Sequence, residues 1–162
     1  PSVANLNHAM VADGSAENQL AALWSRQWLD EEPAVNELPA AAVWQPGATD
    51  NLEQRARSYL DVNCAHCHQP GGSGDTSGLF LHSGASKPLE LGVCKPPVAA
   101  GRGSGGRPYS IVPGHPQDSI LSFRIQSNEV GVLMPEVGRS LTHDSGLLLI
   151  DEWIRQQTGN CS

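Results

Sequence analysis

Basic side chains, methionines and long apolar runs are all scarce in this 162-residue chain. Ten Lys and Arg stand against seventeen Asp and Glu, a net charge of −7. Phosphate binding needs clustered excess positive charge, so nucleic acid is excluded as a partner. No apolar stretch approaches the ~20 residues that cross a bilayer. The most apolar window, GLLLIDEWI at 146–154, is broken by Asp151 and Glu152 and reads as a packed amphipathic helix. No basic segment followed by an apolar one opens the chain, as a secretory signal would. The start, PSVANLNHAM, reads as processed or truncated, so this says nothing against secretion. No internal repeat is present.

What is there is unevenly spread. Residues 1–50 hold seven acids and one base, Arg26, for a net −6, whereas 51–162 carry only −1. A local +3 at 87–107 comes from Lys87, Lys95, Arg102 and Arg107 against Glu90. It is a solvated loop or a contact for anionic groups. The spacing of Leu20, Leu23, Trp24 and Trp28 predicts a helix over 15–29, capped by Asp13 or Ser15. Three prolines make 30–50 an irregular strap with Trp44 as its anchor. The apolar stripes of this acidic extension need cover, from the main domain or from a neighbour.

A helix over 52–62, opened by Asp50 or Asn51, puts Leu52, Ala56, Tyr59 and Leu60 on one face. Residues 69–115 are dominated by Gly, Pro and Ser, with GLFLHS (78–83) as the one strand-like run. So long an irregular stretch wraps something or serves a site. Helices are expected again over 114–127, restarting after Pro116, and over 142–157, capped by Thr142 or Asp144. Leu147, Ile150, Trp153 and Ile154 make the last one apolar on one side. The chain thus divides into an extension, 1–50, and a domain, 51–162.

Chemistry concentrates in Cys64-Ala65-His66-Cys67-His68. A structural zinc site needs four ligands from paired elements. Cys94 and Cys161 pair with nothing at short range, and His66 and His68 are too close together to complete a tetrahedron comfortably. A thioredoxin-type pair expects its first cysteine at a helix N-terminus in a βαβ setting. Here the helix precedes the motif and no βαβ pattern exists. The third reading is C-x-x-C-H, the attachment motif of one covalent c-type haem. Two thiols separated by two residues on a turn each reach one vinyl group, and His68 lies under the iron as axial ligand. His66 is then a spacer.

With these features the chain resembles class I c-type cytochromes over roughly residues 50–158. The helix ending at CAHCH, the phrases IVPGHPQDSILSFRI and LMPEVGRSLTHDSG, and the closing LLLIDEWI helix carry the resemblance. LGVCKPPVAAGRGSGGR is similar, more narrowly, to the cytochrome portion of bacterial secreted haem proteins associated with quinoprotein dehydrogenases. The resemblance implies an all-α, class I cytochrome c fold, here with long Gly/Pro-rich loops and an N-terminal extension. It implies a methionine as sixth ligand, and Met134, followed by Pro135, stands at the matching position. Met10 is the other methionine; His82, His115 and His143 are the bis-histidine alternatives. Ala56 and Tyr59 would face Ile150 and Trp153 where the first and last helices of the domain cross.

Around the iron, Pro70 and Pro135 would fix chain direction beside the ligands. A backbone carbonyl within 78–88 would accept the His68 Nδ1–H. Arg102, Arg107 and Tyr109 are the expected donors to the haem propionates, and Trp44 and Trp153 pack in the core or cover haem. Covalent haem is assembled outside the cytoplasm, where thiols oxidise. The leftover Cys94 and Cys161 are then expected to form a disulfide, contributing roughly 4 kcal/mol in the chain-entropy model. The function implied is electron transfer, with no catalysis by the chain itself, between redox partner proteins such as a quinoprotein dehydrogenase or a terminal acceptor. The setting is periplasmic or secreted. Two alternatives stand beside it: a module of a larger oxidoreductase, and a haem peroxidase or sensor with a labile Met134.

Overall fold

The computed structural model describes residues 2–12 and 15–162. In chain order they form α1 (Val3–Leu6), β1 (Ala9–Ala12), β2 (Ser15–Asn18), α2 (Gln19–Ser25), α3 (Leu52–Asn63), α4 (Ile120–Gln126) and α5 (Asp144–Gln156). Short 3₁₀ turns lie at Asp75–Ser77, Gly101–Ser104 and Pro116–Asp118.

The expected all-α, class I cytochrome c fold is overturned. Only about a third of the residues are helical, and β1 and β2 form an antiparallel hairpin pairing Ala9 with Asn18 and Ala12 with Ser15. The helix expected from Ser15 is shortened by that pairing, which takes Ser15–Asn18 into a strand. The Asn18 side-chain oxygen accepts the Leu20 amide at 2.9 Å and becomes the cap. Of the two caps expected from sequence, Ser15 lies in β2 and Asp13 falls outside the described residues. At the other end Gln27 adopts a left-handed φ of 62° and stops the helix, leaving Trp28 72% exposed. The stripe of Leu20, Leu23, Trp24 and Trp28 is therefore split, with Leu20 buried and both tryptophans exposed.

The extension is tied to α3 by polar contacts. Asn5 donates to Asp61 at 2.5 Å, the Ala42 amide to Ser58 at 2.9 Å, and Arg55 to the Trp44 and Gln45 carbonyls at 3.1 Å. Buried Asn7 holds the strap from inside, donating to the Val35 and Leu38 carbonyls at 3.0 Å. An amide so placed answers orphan carbonyls that a proline-interrupted strap cannot pair with itself.

Helix α3 starts where Asn51 accepts the Gln54 amide at 2.8 Å. Its Ala56, Tyr59 and Leu60 are buried against Leu149, Ile150, Trp153 and Ile154 of α5. The close approach depends on Gly146, because a Cβ there would run into the Tyr59 ring. The small residue at this crossing thus lies on α5, opposite Tyr59, as well as on α3 at Ala56. Neither expected cap of α5 acts: the helix starts after His143 with no side-chain cap, and Thr142 donates instead to the Gln126 carbonyl at 3.1 Å.

Residues 78–83 form no strand; the Leu81 amide donates to the His68 carbonyl at 2.9 Å, holding the run against the cysteine–histidine turn. The helix expected over 114–127 is a 3₁₀ turn followed by α4. Ser119, fully buried at the junction, accepts the Val112 amide and donates to the His115 carbonyl, both at 2.9 Å. Cys94 and Cys161 are joined by a disulfide across a sequence separation of 67. No described helix is long and apolar enough to cross a membrane.

Gly146→Val is expected to cost about 1–3 kcal/mol through overpacking, read as a lowered urea midpoint; an unshifted midpoint contradicts the crossing. In the cofactor-free chain under non-reducing conditions, alkylation is expected to label only Cys64 and Cys67. Labelling of Cys94 or Cys161 before reduction contradicts the disulfide.

Candidate functional site

The cysteine–histidine motif forms the end of α3. Cys64 is the C-cap, its amide bonded to the Leu60 carbonyl at 2.9 Å. The Cys67 and His68 amides donate back to the Cys64 carbonyl at 3.2 and 2.9 Å. This single extra turn sets both thiols and the imidazole side by side. The glycines that follow wrap it. A Cβ on Gly72 would run into the Cys67 carbonyl, and one on Gly74 would sit 3.2 Å from the His68 ring.

The electrostatics separate this turn from a redox dithiol. A helix C-terminus is the negative end of the macrodipole and disfavours a thiolate. Burial, with the Cys67 thiol adding to it, pushes Cys64 up to about 12. Burial also lowers the His68 pKa and so favours the neutral imidazole, the form that ligates a metal; the Leu79 backbone hydrogen bond opposes the shift, and Arg124 and His66 reinforce it. Leu79 lies within the window expected to orient the ring, and the Ser77 hydroxyl stands 3.5 Å from His68 Nδ1. Among the described residues, no group of three or more His, Cys, Asp and Glu side chains is gathered to hold a metal ion.

A cavity of about 420 Å³ opens on this turn and has both His68 and Met134 in its wall, with Cys64, Cys67 and the exposed His66. Cofactor sites typically enclose about 300–1,000 Å³ with mostly apolar walls. Leu79, Leu81, Leu121 and Ile125 supply such walls here. Met134 arrives from the loop after α4, its amide bonded to the Arg124 carbonyl at 2.9 Å. Arg139 staples that loop, donating to the Met134 carbonyl at 2.9 Å and to the carbonyls of Ile125 and Ser127. Those two carbonyls belong to the C-terminal end of α4, where orphan acceptors favour a cation. Pro135 lines the cavity, whereas Pro70 is exposed in the turn outside it.

The other ligand candidates lie elsewhere. Met10 is in β1, His82 backs the Arg57 contact, and His115 is exposed beside Asp118. His143 faces a second space of about 350 Å³ on the Met134 side, with its Nδ1 3.1 Å from the Tyr59 hydroxyl. Burial, with Cys64 adding to it, raises Tyr59 to about 12. Trp44 packs edge-on against Tyr59 and His143, and buried Trp153 donates to Glu53; neither lines the cavity.

Nor does the structure bring Arg102, Arg107 or Tyr109 to the cavity. Arg102 pairs with Glu129 at 2.6 Å, Arg107 lies over the Phe123 ring at 4.2 Å, and Tyr109 bridges to Ser119 through the backbone. The cations in the wall are Lys95 and Arg124. An arginine inside the apolar run ILSFRI was the signal available for Arg124; for Arg139 there was none. The cavity's donor set fits haem: paired thiols, a neutral imidazole, a thioether and cations among apolar walls.

Comparison with protein-family models, with curated proteins and with solved structures gives no match.

The low His68 pKa links stability to pH. Unfolded, the ring titrates near 6.5, above its folded value, so below that pH the unfolded chain binds the extra proton. The cofactor-free chain is expected to lose stability as pH falls through about 6.5. His68→Gln should flatten that fall in urea midpoints, and an unchanged slope contradicts the burial of a neutral ring.

Proposed function

We propose that the chain carries one covalent c-type haem, held by Cys64 and Cys67 with His68 and Met134 as axial ligands, and acts as an electron carrier like the class I c-type cytochromes it resembles in its motifs. The observation that carries this reading is a largely apolar cavity whose wall holds both the C-x-x-C-H turn and Met134, residues 66 positions apart from His68 to Met134. Bound haem supplies one-electron exchange between ferric and ferrous iron. The chain's own residues do the rest. Cys64 and Cys67 tether, and His68 presents a neutral nitrogen oriented by Leu79 and Ser77. Met134 presents a soft thioether, which favours the ferrous state relative to a second histidine. Leu79, Leu121 and Ile125 exclude water, which raises the weight of each charge near the iron.

Val98 and Val137, 66% and 70% exposed on the cavity lining, offer the apolar contact that a transient redox partner needs. The Cys94–Cys161 disulfide supports an oxidising, periplasmic or secreted setting. The exposed Trp24 and Trp28 of the extension favour the related reading of a module docked to a larger oxidoreductase, with a quinoprotein dehydrogenase as one such neighbour.

A second reading is favoured by the space beside Met134, where Tyr59, Arg139 and His143 gather as the polar groups a peroxidase or sensor uses. A displaced Met134 would put those groups next to an open iron position.

The protein produced with haem-maturation machinery is expected to keep its haem on a denaturing gel, and Cys64→Ser with Cys67→Ser to lose it. A denatured wild-type band without haem refutes the reading. Met134→Ala is expected to bind carbon monoxide when reduced while the wild type does not; rapid binding by the wild type supports the sensor reading instead.

A further inference from the structure

We infer that Arg124 and Lys95 form the anion-binding end of the cavity and hold the two carboxylates of the bound porphyrin, an assignment that rests on the haem reading above. Both side chains line the cavity, and neither makes an ion pair with the described residues; Glu136, in the same wall, is the carboxylate whose charge acts on Arg124. Arg124 is half-buried on α4, and only its Nε is engaged, donating to the Val132 carbonyl at 2.8 Å. Its two terminal amino groups make no hydrogen bond or ion pair with the described residues. Burial lowers its pKa, and Glu136 is the one carboxylate that acts against that shift, without an ion pair.

The packing around both cations reserves room for them. Gly103 is buried against the Arg124 guanidinium, and a Cβ there would stand 3.2 Å from it. The Lys95 ammonium lies over Gly78, 3.4 Å from where a Cβ would be, and makes no hydrogen bond with the described residues. Gly78 adopts φ +61° immediately before Leu79, whose backbone meets His68. Lys95 is held in place by its neighbours: Cys94 is disulfide-bonded to Cys161, and the Lys95 carbonyl accepts the Ser110 amide at 2.8 Å.

A half-buried guanidinium that makes no ion pair on the wall of a mostly apolar cavity carries a desolvation cost, which Glu136 offsets only at a distance and an anionic ligand in contact would offset further. A guanidinium with both terminal nitrogens free is the shape that grips a carboxylate with two parallel hydrogen bonds. An ammonium supplies a second, point-like contact. Two such sites match a ligand with two carboxylates. Arg102 and Arg107 are occupied by Glu129 and by the Gln117 carbonyl with the Phe123 ring, outside the cavity.

The test is the midpoint potential of the haem-loaded protein. Removing a positive charge near the iron stabilises the ferric form. Arg124→Gln and Lys95→Gln are each expected to raise the ferric-to-ferrous ratio at fixed poise on the order of tenfold, 59 mV for one electron. Arg124→Lys should restore much of the shift, which a merely structural role of Arg124 would not. Arg102→Gln and Arg107→Gln should leave the potential in place. Lys95→Gln keeps the test open should Arg124→Gln fail to fold, because Lys95 bonds to nothing in the described chain through its side chain. Unchanged potentials in Lys95→Gln and Arg124→Gln with haem attached, or shifts in Arg102→Gln or Arg107→Gln instead, overturn the assignment and leave the haem reading standing. A wild-type protein without covalent haem overturns both.

Discussion

The contact on which the rest of the structure depends is the crossing of α3 and α5, where Tyr59 lies on the bare backbone of Gly146. Helix α3 carries the cysteine–histidine turn at its end, so whatever fixes the axis of α3 fixes the site. The core gathered at that crossing, Ala56, Leu60, Ile150 and Ile154, is wholly shielded from water. Apolar burial there supplies a rigid base without any contribution from the cavity. Tyr59 then links the two levels, because its hydroxyl meets His143 beside the loop that brings in Met134.

From that base the cavity is assembled out of segments with little regular structure. Glycines close to Cys67 and His68 let the 71–74 turn fold tightly over the motif. The disulfide ties the loop bearing Lys95 to the chain end. Arg139 gathers the carbonyls at the end of α4 and the Met134 carbonyl into one node. These are point attachments in place of secondary structure, as is common where loops build a site on a rigid base. The extension adds a separate layer on α3, held by Asp61, Ser58 and Arg55, and it leaves Trp24 and Trp28 facing outward.

Helices with a long apolar period were legible before any coordinates. The spacing of Ala56, Tyr59 and Leu60, and of Ile150, Trp153 and Ile154, needs only the 3.6-residue repeat to be read. The extension misled because its helical spacing competes with a hairpin. Pairing across β1 and β2 satisfies backbone groups that a helix from Ser15 would also satisfy, and the period alone cannot rank the two. The choice of Arg102, Arg107 and Tyr109 as carboxylate donors followed the density of charge along the loop. In three dimensions Glu129 and Phe123 engage the two arginines, contacts made across 27 and 16 residues that no local pattern contains.

By itself the sequence determined which reactive groups the motif holds: two thiols and a histidine at a spacing one turn can present, with Met134 the one methionine of residues 51–162. It also determined which faces α3 and α5 bury, since that depends on periodicity within a few turns. Only the tertiary structure decided which cations reach the cavity, that a glycine of α5 permits the crossing, and that Arg139 holds the methionine loop. Each of these depends on contacts between segments distant in sequence, and their energies come from burial and partner geometry that exist only once the chain has folded.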